Sequence, residues 1–490
     1  MTIVGQDEVR AILERVRGRM AEGGGVPQVQ AGSPPAAPSK AGDAAGPALG
    51  DGVFASVDDA VAAAGEAFQK FRQAGLERRY DVIHAVRQAM REHGRELARR
   101  AHEETGLGRT DDKVIKNRLV NEKTPGPEDL EPQVVTGDRG MTVTEFAPFG
   151  VIASIAPTTN PTSTIINNTI AILSAGNSVV FNAHPNAKRV SAWNVQLLHR
   201  AIVAAGGPPG LVTAIAEPTI ESARDLMHHR GVRILLVTGG PAVVKEALKT
   251  DKRAITAGPG NPPIVVDDTA DVELAGRELV RGASFDNNVI CTDEKEVFAL
   301  SSIASDLLRA MEKAGAYLLR EFELRKVERV IFEKLGEPSK PGVINRAWIG
   351  KNAGVILRAA GIDADPDLRL AVAEVPVEHS LVWTEQMMPV LPVARVRTVD
   401  EAIDLAVKAE HGFRHTAGIY SRNVDTITRM ARAMNCSIFV ANAPTFAGLG
   451  EGGEGFTSFS IATPTGEGLT RPRTFSRVRR LTVAGGLRIV

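Results

Sequence analysis

Between residues 147 and 257, short β-branched runs alternate with helix-length segments, and this restricts the possible folds more than any other feature. GVIASIAP (150–157) is strand-like and TSTIINNTIAILSAG (162–176) is helical in pattern. NSVVFNAH, LVTAIAE and VRILLVTGG repeat the strand pattern, each followed by a helical segment. Such alternation predicts a parallel sheet with helices on both faces. Sheets of this kind bind nucleotides beyond the carboxyl ends of their strands. A second α/β region follows, to about residue 443. Two segments do not join this pattern. VTGDRGMTVTEF (135–146) reads as a hairpin around Asp138-Arg139-Gly140, and TFSRVRRLTVAGGLRIV (474–490) as an extended tail. Exposed strand pairs need a cover, often a second subunit, so both are expected to form an oligomerisation arm.

The front of the chain is different. Val9, Ile12, Leu13, Val16 and Met20 recur at steps of three and four, which predicts a short amphipathic helix over 1–20. Residues 21–52 are Gly, Pro, Ala and Ser with little to bury, a linker composition. A tethered short helix gains most by docking on a partner groove. Its polar face carries both signs of charge and no Trp or Phe, which argues against a membrane surface. The formal net charge is zero and aromatics are 4%, which disfavours nucleic acid. Two cysteines in 490 residues exclude a disulfide framework and fit a reducing compartment. No apolar run approaches the roughly 20 residues of a membrane helix, and the early charges break any secretory signal. A cytoplasmic protein is expected, with no metal site.

Six ordered stretches carry a resemblance. They are APTTNPTSTIINNTIAILSAGNSVVF, LLVTGGPAVVKEAL, AGPGNPPIVVDDTAD, SFDNNVICTDEKEV, HGFRHTAGIYS and AGLGEGGEGFTSFSIATPTGEGLTRPRTF. Over nearly all of 53–490 the chain resembles the aldehyde dehydrogenase superfamily. More narrowly, it is similar to the CoA-acylating propionaldehyde dehydrogenases of bacterial microcompartments. The resemblance implies an aldehyde dehydrogenase-like α/β fold with a Rossmann-type cofactor domain (53–132 and 147–257) and a catalytic domain (258–443). The chain would return to the cofactor domain at 444–474, and the β oligomerisation arm would be 133–146 with 475–490. It also gives the front of the chain a reading: residues 1–20 would dock on a microcompartment shell protein, placing the enzyme in the lumen.

On residue chemistry alone, Cys291 beside Val289 and Ile290 reads as an inert core thiol. The resemblance makes it the nucleophile, since the family's cysteine lies at this point. A thiolate would attack the aldehyde carbon, helped by a positive potential or a helix N-terminus. Asn160 in PTTNPT reads alone as a turn residue; the resemblance makes it an oxyanion donor beside the Cys291 backbone N–H. Thr238, Gly239 and Gly240 match the loop under the cofactor pyrophosphate, where glycines allow close approach at a helix start. Glu385 matches the glutamate that holds the nicotinamide ribose. Asn182 stands where the family usually has a lysine for the adenosine ribose. No basic residue follows immediately, although Lys188 and Arg189 are near, so NAD is expected. Cys436 is expected to be packing.

One absence points to the co-substrate. Hydrolytic relatives carry a water-activating Glu seven residues before the position of Ile264, and here that position is Ala257. Alanine takes no proton from water, and losing a general base costs about 100- to 10,000-fold in that step. A second thiol needs less help, and the resemblance implies coenzyme A. The expected reaction converts a short-chain aldehyde, propanal first and acetaldehyde second, with NAD and coenzyme A to acyl-CoA and NADH in ping-pong order. The alternatives are a hydrolytic dehydrogenase with another base, an acyl-phosphate reductase, and an inactive shell cargo or scaffold. A homodimer or tetramer is expected.

Overall fold

The computed structural model describes residues 47–490, so the expected helix at 1–20 and most of the 21–52 linker lie outside the described residues. The last linker residues run onto the body of the protein. Gly50 bridges to Val53, and Gln196 Nε2 donates to Ala48 O at 2.8 Å.

The first sheet has six parallel strands. Their order across the sheet is Val53–Phe54, Val212–Ile215, Ser178–Asn182, Val151–Ile155, Val232–Thr238 and Arg253–Ala257. Ile152 pairs with both Val179 and Ile234. Helices cover both faces, so Val151–Ile155 and Ser178–Asn182 are buried along their whole length. From Val151–Ile155 the chain first adds strands on one side and then returns to add Val232–Thr238 on the other, all remaining parallel. The crevice beyond their carboxyl ends is the topological switch point of such a sheet. Helix Pro161–Ser174 leaves this crevice with every residue buried, so its Ile165, Ile166 and Ile170 serve as core. Truncating one of them to alanine would cost about 2–5 kcal/mol.

The second sheet has seven parallel strands: Tyr317–Leu319, Ala371–Val375, Val390–Val396, Glu296–Leu300, Pro263–Val266, Thr416–Tyr420 and Ile438–Ala441. Four adjacent strands place their amino-end loops together. Those loops carry Glu385, Cys291, Gly260 and His415, in the order of the strands they precede. Cys291 packs against the core of the first sheet. The site therefore lies where carboxyl ends of one parallel sheet meet amino ends of another.

Strands Gln133–Gly137, Gly140–Pro148 and Ser476–Ala484 form a separate antiparallel sheet. The hairpin turns at Asp138-Arg139. Gly140 sits at φ +121°, and a Cβ there would meet Val483 O at 2.0 Å, so only glycine fits. Val135, Val478 and Leu481 remain exposed on this sheet. The α/β architecture expected from the sequence is the one observed. No helix among the described residues is long and apolar enough to cross a membrane.

Candidate active site

Cys291 lies in the turn between a left-handed segment and strand Glu296–Leu300, and it is partly exposed. The approach to it is unusual. Asp286, Asn287 and Asn288 all have positive φ, at 45°, 56° and 63°. Asp and Asn tolerate this region better than other side-chain-bearing residues, yet each such residue costs on the order of 1–3 kcal/mol. Side-chain bonds offset the cost. Asn287 Nδ2 donates to Gly350 O and Asn352 Oδ1, both at 2.9 Å. Asn288 Nδ2 donates to Ala283 O at 2.9 Å and Glu294 O at 2.8 Å. Asp286 accepts from Arg109 N at 2.7 Å, from Lys113 Nζ at 2.9 Å, and from Lys116 Nζ. Burial alone would raise the Asp286 carboxyl, but the two ammonium groups outweigh it and hold it below the usual range.

Beyond the cysteine, Thr292 to Glu296 are all fully buried. Lys295 Nζ donates to Asn288 O at 3.1 Å, Asn288 Oδ1 at 2.7 Å and Ile290 O at 3.0 Å. It clamps the turn that carries Cys291 through uncharged oxygens. Burial pushes the Cys291 thiol up to about 12, with Glu385 adding to the rise and Lys295 opposing it. The resting nucleophile is therefore a thiol. Lys295 is a positive charge near the thiol, but Glu385 outweighs it there and Asp293 adds to the rise, so the expected positive potential does not prevail, and no helix begins at Cys291.

A base stands nearby that the sequence argument did not single out. Methyl substitution of Gly260 would bring a carbon within 2.4 Å of Cys291 O and 3.1 Å of His415 Cγ, so thiol loop and imidazole flank the same glycine. His415 is fully buried, and burial followed by Lys295 lowers it to about 4, so it is neutral near pH 7. Its Nδ1 lies 2.8 Å from Thr416 Oγ1, and Nε2 has no hydrogen-bond partner. With Nδ1–H donating to Thr416 Oγ1, Nε2 is an unpartnered acceptor, and burial makes the imidazole a weak base toward the thiol. Its only sequence sign was its place in HGFRHTAGIYS.

Asn160 precedes helix Pro161–Ser174 as its N-cap but makes no side-chain cap bond. Its Oδ1 instead accepts from Lys116 Nζ at 2.6 Å, and its Nδ2 donates to Thr159 Oγ1 at 3.2 Å. An amide nitrogen carries two hydrogens, so one N–H of Asn160 remains beyond the Thr159 bond.

Thr238 ends strand Val232–Thr238, and its hydroxyl lies 3.0 Å from Ser460 Oγ, which bonds Asn168 Oδ1 at 2.9 Å. Gly240 caps helix Pro241–Ala247. A Cβ on Gly240 would have nothing within 4 Å, and one on Gly239 only Val243. The glycines leave space beside the helix start rather than adopting a special backbone. A cleft of about 410 Å³ opens there, lined by Pro241, Val244, Lys245, Leu248, Gly258 and Phe413. Apolar walls with a flanking lysine suit a long amphiphilic nucleotide co-substrate. Ala257 lies beside this cleft; its carbonyl accepts from Gly239 N at 3.1 Å. Glu385 is partly buried, and its Oε1 accepts from Gly260 N at 3.3 Å. Burial raises its carboxyl, against Lys295. Asn182 is placed differently. Its Oδ1 accepts from Ser222 Oγ at 2.7 Å and its Nδ2 leans on Thr219 O at 3.5 Å, so both ends serve the turn before helix Ile220–His228. Cys436 is partly buried against the second core, and its Sγ donates to Ile438 O at 3.0 Å.

Known proteins share this fold. The sequence model of the aldehyde dehydrogenase family matches residues 49–319 and 370–459. The acetaldehyde dehydrogenase (acetylating) EutE of Salmonella typhimurium is 50% identical over 440 residues, covering 90% of this chain and 94% of that protein. A crystal structure of Rhodopseudomonas palustris propionaldehyde dehydrogenase, with bound CoA and an acylated cysteine, superposes with a TM-score of 0.87 at 44% identity, covering 90% of this chain and all of that one. A propionaldehyde dehydrogenase from the fucose utilisation microcompartment of Clostridium phytofermentans gives a TM-score of 0.86 at 43% identity, with the same coverage.

Proposed function

The chain belongs to the aldehyde dehydrogenase family, and from that premise we propose that it converts a two- or three-carbon aldehyde and coenzyme A to the acyl-CoA with reduction of NAD. The observation that carries this reading is Ala257: the position that holds the water-activating carboxylate in hydrolytic relatives has no carboxylate here.

His415 Nε2 takes the Cys291 proton as the thiol attacks the aldehyde carbon. The new C–S bond leaves a tetrahedral alkoxide, which Asn160 Nδ2 and the Cys291 N–H stabilise. A nicotinamide bound over the Thr238–Gly240 loop supplies the hydride acceptor. Collapse leaves an acyl thioester on Cys291. His415 gives up that first proton to solvent, accepts the proton of the incoming thiol as it attacks the thioester, and returns it to Cys291 as the acyl leaving group. Glu385, one edge of the site, orients the co-substrate ribose.

The choice of NAD over NADP rests on charge balance beyond strand Ser178–Asn182. Lys188 pairs with Glu217 and Arg189 with Glu104 at 3.8 Å, so neither cation is presented unpaired to a 2′-phosphate. The three larger sheets support a division into cofactor domain, catalytic domain and arm. The arm's exposed Val135, Val478 and Leu481 support its pairing with another copy of the chain. Residues 1–20 dock the enzyme on a microcompartment shell protein; a fluorescent protein fused to them that stayed diffuse in shell-producing cells would remove this part.

The test is a steady-state assay with C2 to C4 aldehydes, with and without coenzyme A, reading NADH and product. CoA-dependent acyl-CoA formation, fastest with acetaldehyde or propanal, is expected. Free acid formed at a comparable rate without coenzyme A would instead favour hydrolysis, with Glu385 or His415 as base. Turnover supported by phosphate in place of coenzyme A would point to an acyl-phosphate reductase.

A further inference from the structure

The two oxyanion donors come from separate parts of the molecule. Asn160 hangs from the first sheet, and the Cys291 N–H belongs to the second. Their separation is critical, because a misplacement of about 1 Å can cost about 100-fold. One side chain bonds to both parts. Lys116, fully buried on helix Thr110–Lys123, donates to Asn160 Oδ1 at 2.6 Å and to Asp286 Oδ2. Asp286 opens the left-handed segment that leads to Cys291. It is held from the same helix by Lys113 at 2.9 Å, and its own N–H donates to Asp112 Oδ2 at 2.9 Å. The space around this bond is tight: a Cβ on Gly108 would meet Asp286 Oδ1 at 1.9 Å.

We propose that Lys116 is a positioning residue for the oxyanion hole. An ammonium has donors only, so it can face only the amide oxygen of Asn160, and this fixes the amide orientation in which Nδ2 gives one N–H to Thr159 Oγ1 and keeps its second for the oxyanion. The same ammonium, through Asp286, ties that amide to the turn bearing Cys291. It also polarises the amide, which strengthens its remaining N–H as a donor. This rests on the reading of Asn160 as an oxyanion donor.

The test is a kinetic cycle in the full-length enzyme: Lys116→Met, Asn160→Ala and the double variant, with pre-steady-state NADH formation as the readout. Asn160→Ala is expected to slow acylation by about 100- to 1,000-fold, with little change in KM. Lys116→Met is expected to slow it by up to roughly 100-fold, also in kcat rather than KM. The double variant should be no slower than Asn160→Ala alone. Full additivity would overturn the proposal, because it would mean that Lys116 acts without Asn160. Slow Asn160→Ala with an unaffected Lys116→Met would overturn it while leaving the oxyanion reading intact. An unaffected Asn160→Ala would overturn both. If Lys116→Met fails to fold, the charge-balanced pair Lys116→Met with Asp286→Asn takes its place in the cycle, judged by the same outcomes.

Discussion

The two flanks of Cys291 are both buried and both charged, yet they are built on opposite rules. Upstream, Asp286 meets Lys113 and Lys116, and its carboxyl stays below the usual range. Downstream, Asp293, Glu294 and Glu296 are all raised by burial, and each has a carboxyl oxygen with no partner. Lys295 sits among them but spends its hydrogen bonds on Asn288 and Ile290. Paired charges fix geometry at a desolvation cost. Acids raised by burial offset the Lys295 charge less than a paired carboxylate would, while Glu385 still outweighs that charge at the Cys291 thiol. On the proposed mechanism, the upstream flank would set where the oxyanion is received, and the downstream flank would bias the proton transfer.

The largest expected effect tests the downstream side. His415→Asn should lower kcat by about 100- to 10,000-fold while the fold persists, with partial rescue by exogenous imidazole in a stopped-flow assay. Activity within a fewfold of the unsubstituted enzyme would remove His415 from the proton path. On the upstream side, Asp286→Asn leaves two ammonium groups facing a neutral amide. A loss of about 3–5 kcal/mol in urea unfolding is expected; an unchanged midpoint would show that the pair does not hold the turn. A smaller effect follows from the resting thiol. With the Cys291 thiol near 12, iodoacetamide labelling of the free enzyme should rise about tenfold per pH unit from 7 to 9, and a plateau in that range would mean a preformed thiolate.

The smallest effect concerns Glu294, raised to about 7 by burial against an ordinary value of 4.5. Between those values the folded chain keeps a proton that the unfolded chain has released. Stability should therefore fall as pH rises through that window. Glu294→Gln, neutral throughout, should flatten this fall, and an identical pH dependence in the two proteins would contradict the assignment.

The first sheet was legible because strands buried on both faces need apolar, β-branched runs, as in VIASI and SVVFN. The hairpin was legible because Gly140 marks its turn. Helix Thr110–Lys123 gave no such signal. Its buried face includes Asp112, Lys113, Lys116 and Asn117, so there is no apolar stripe to read. Thr292 to Glu296 hid for the same reason: five consecutive polar residues give no sequence sign of burial. Cys291, Asn160 and Glu385 were visible only through the family's motifs. The residues that bond or bias them, Lys116, Lys295 and His415, emerged only when the chain was folded, because their partners are mostly far apart in sequence. Asn182, named for a ribose contact, is engaged at both ends by the protein itself.

The central claim is that the Cys291 adduct waits for a second thiol. It is tested most directly by mixing enzyme, NAD and propanal without coenzyme A and following NADH and intact mass. One NADH per subunit, an acyl group on Cys291, and further turnover only when coenzyme A is added are expected. Continuous NADH formation without coenzyme A, with free acid as product and no accumulating acyl-enzyme, would contradict it.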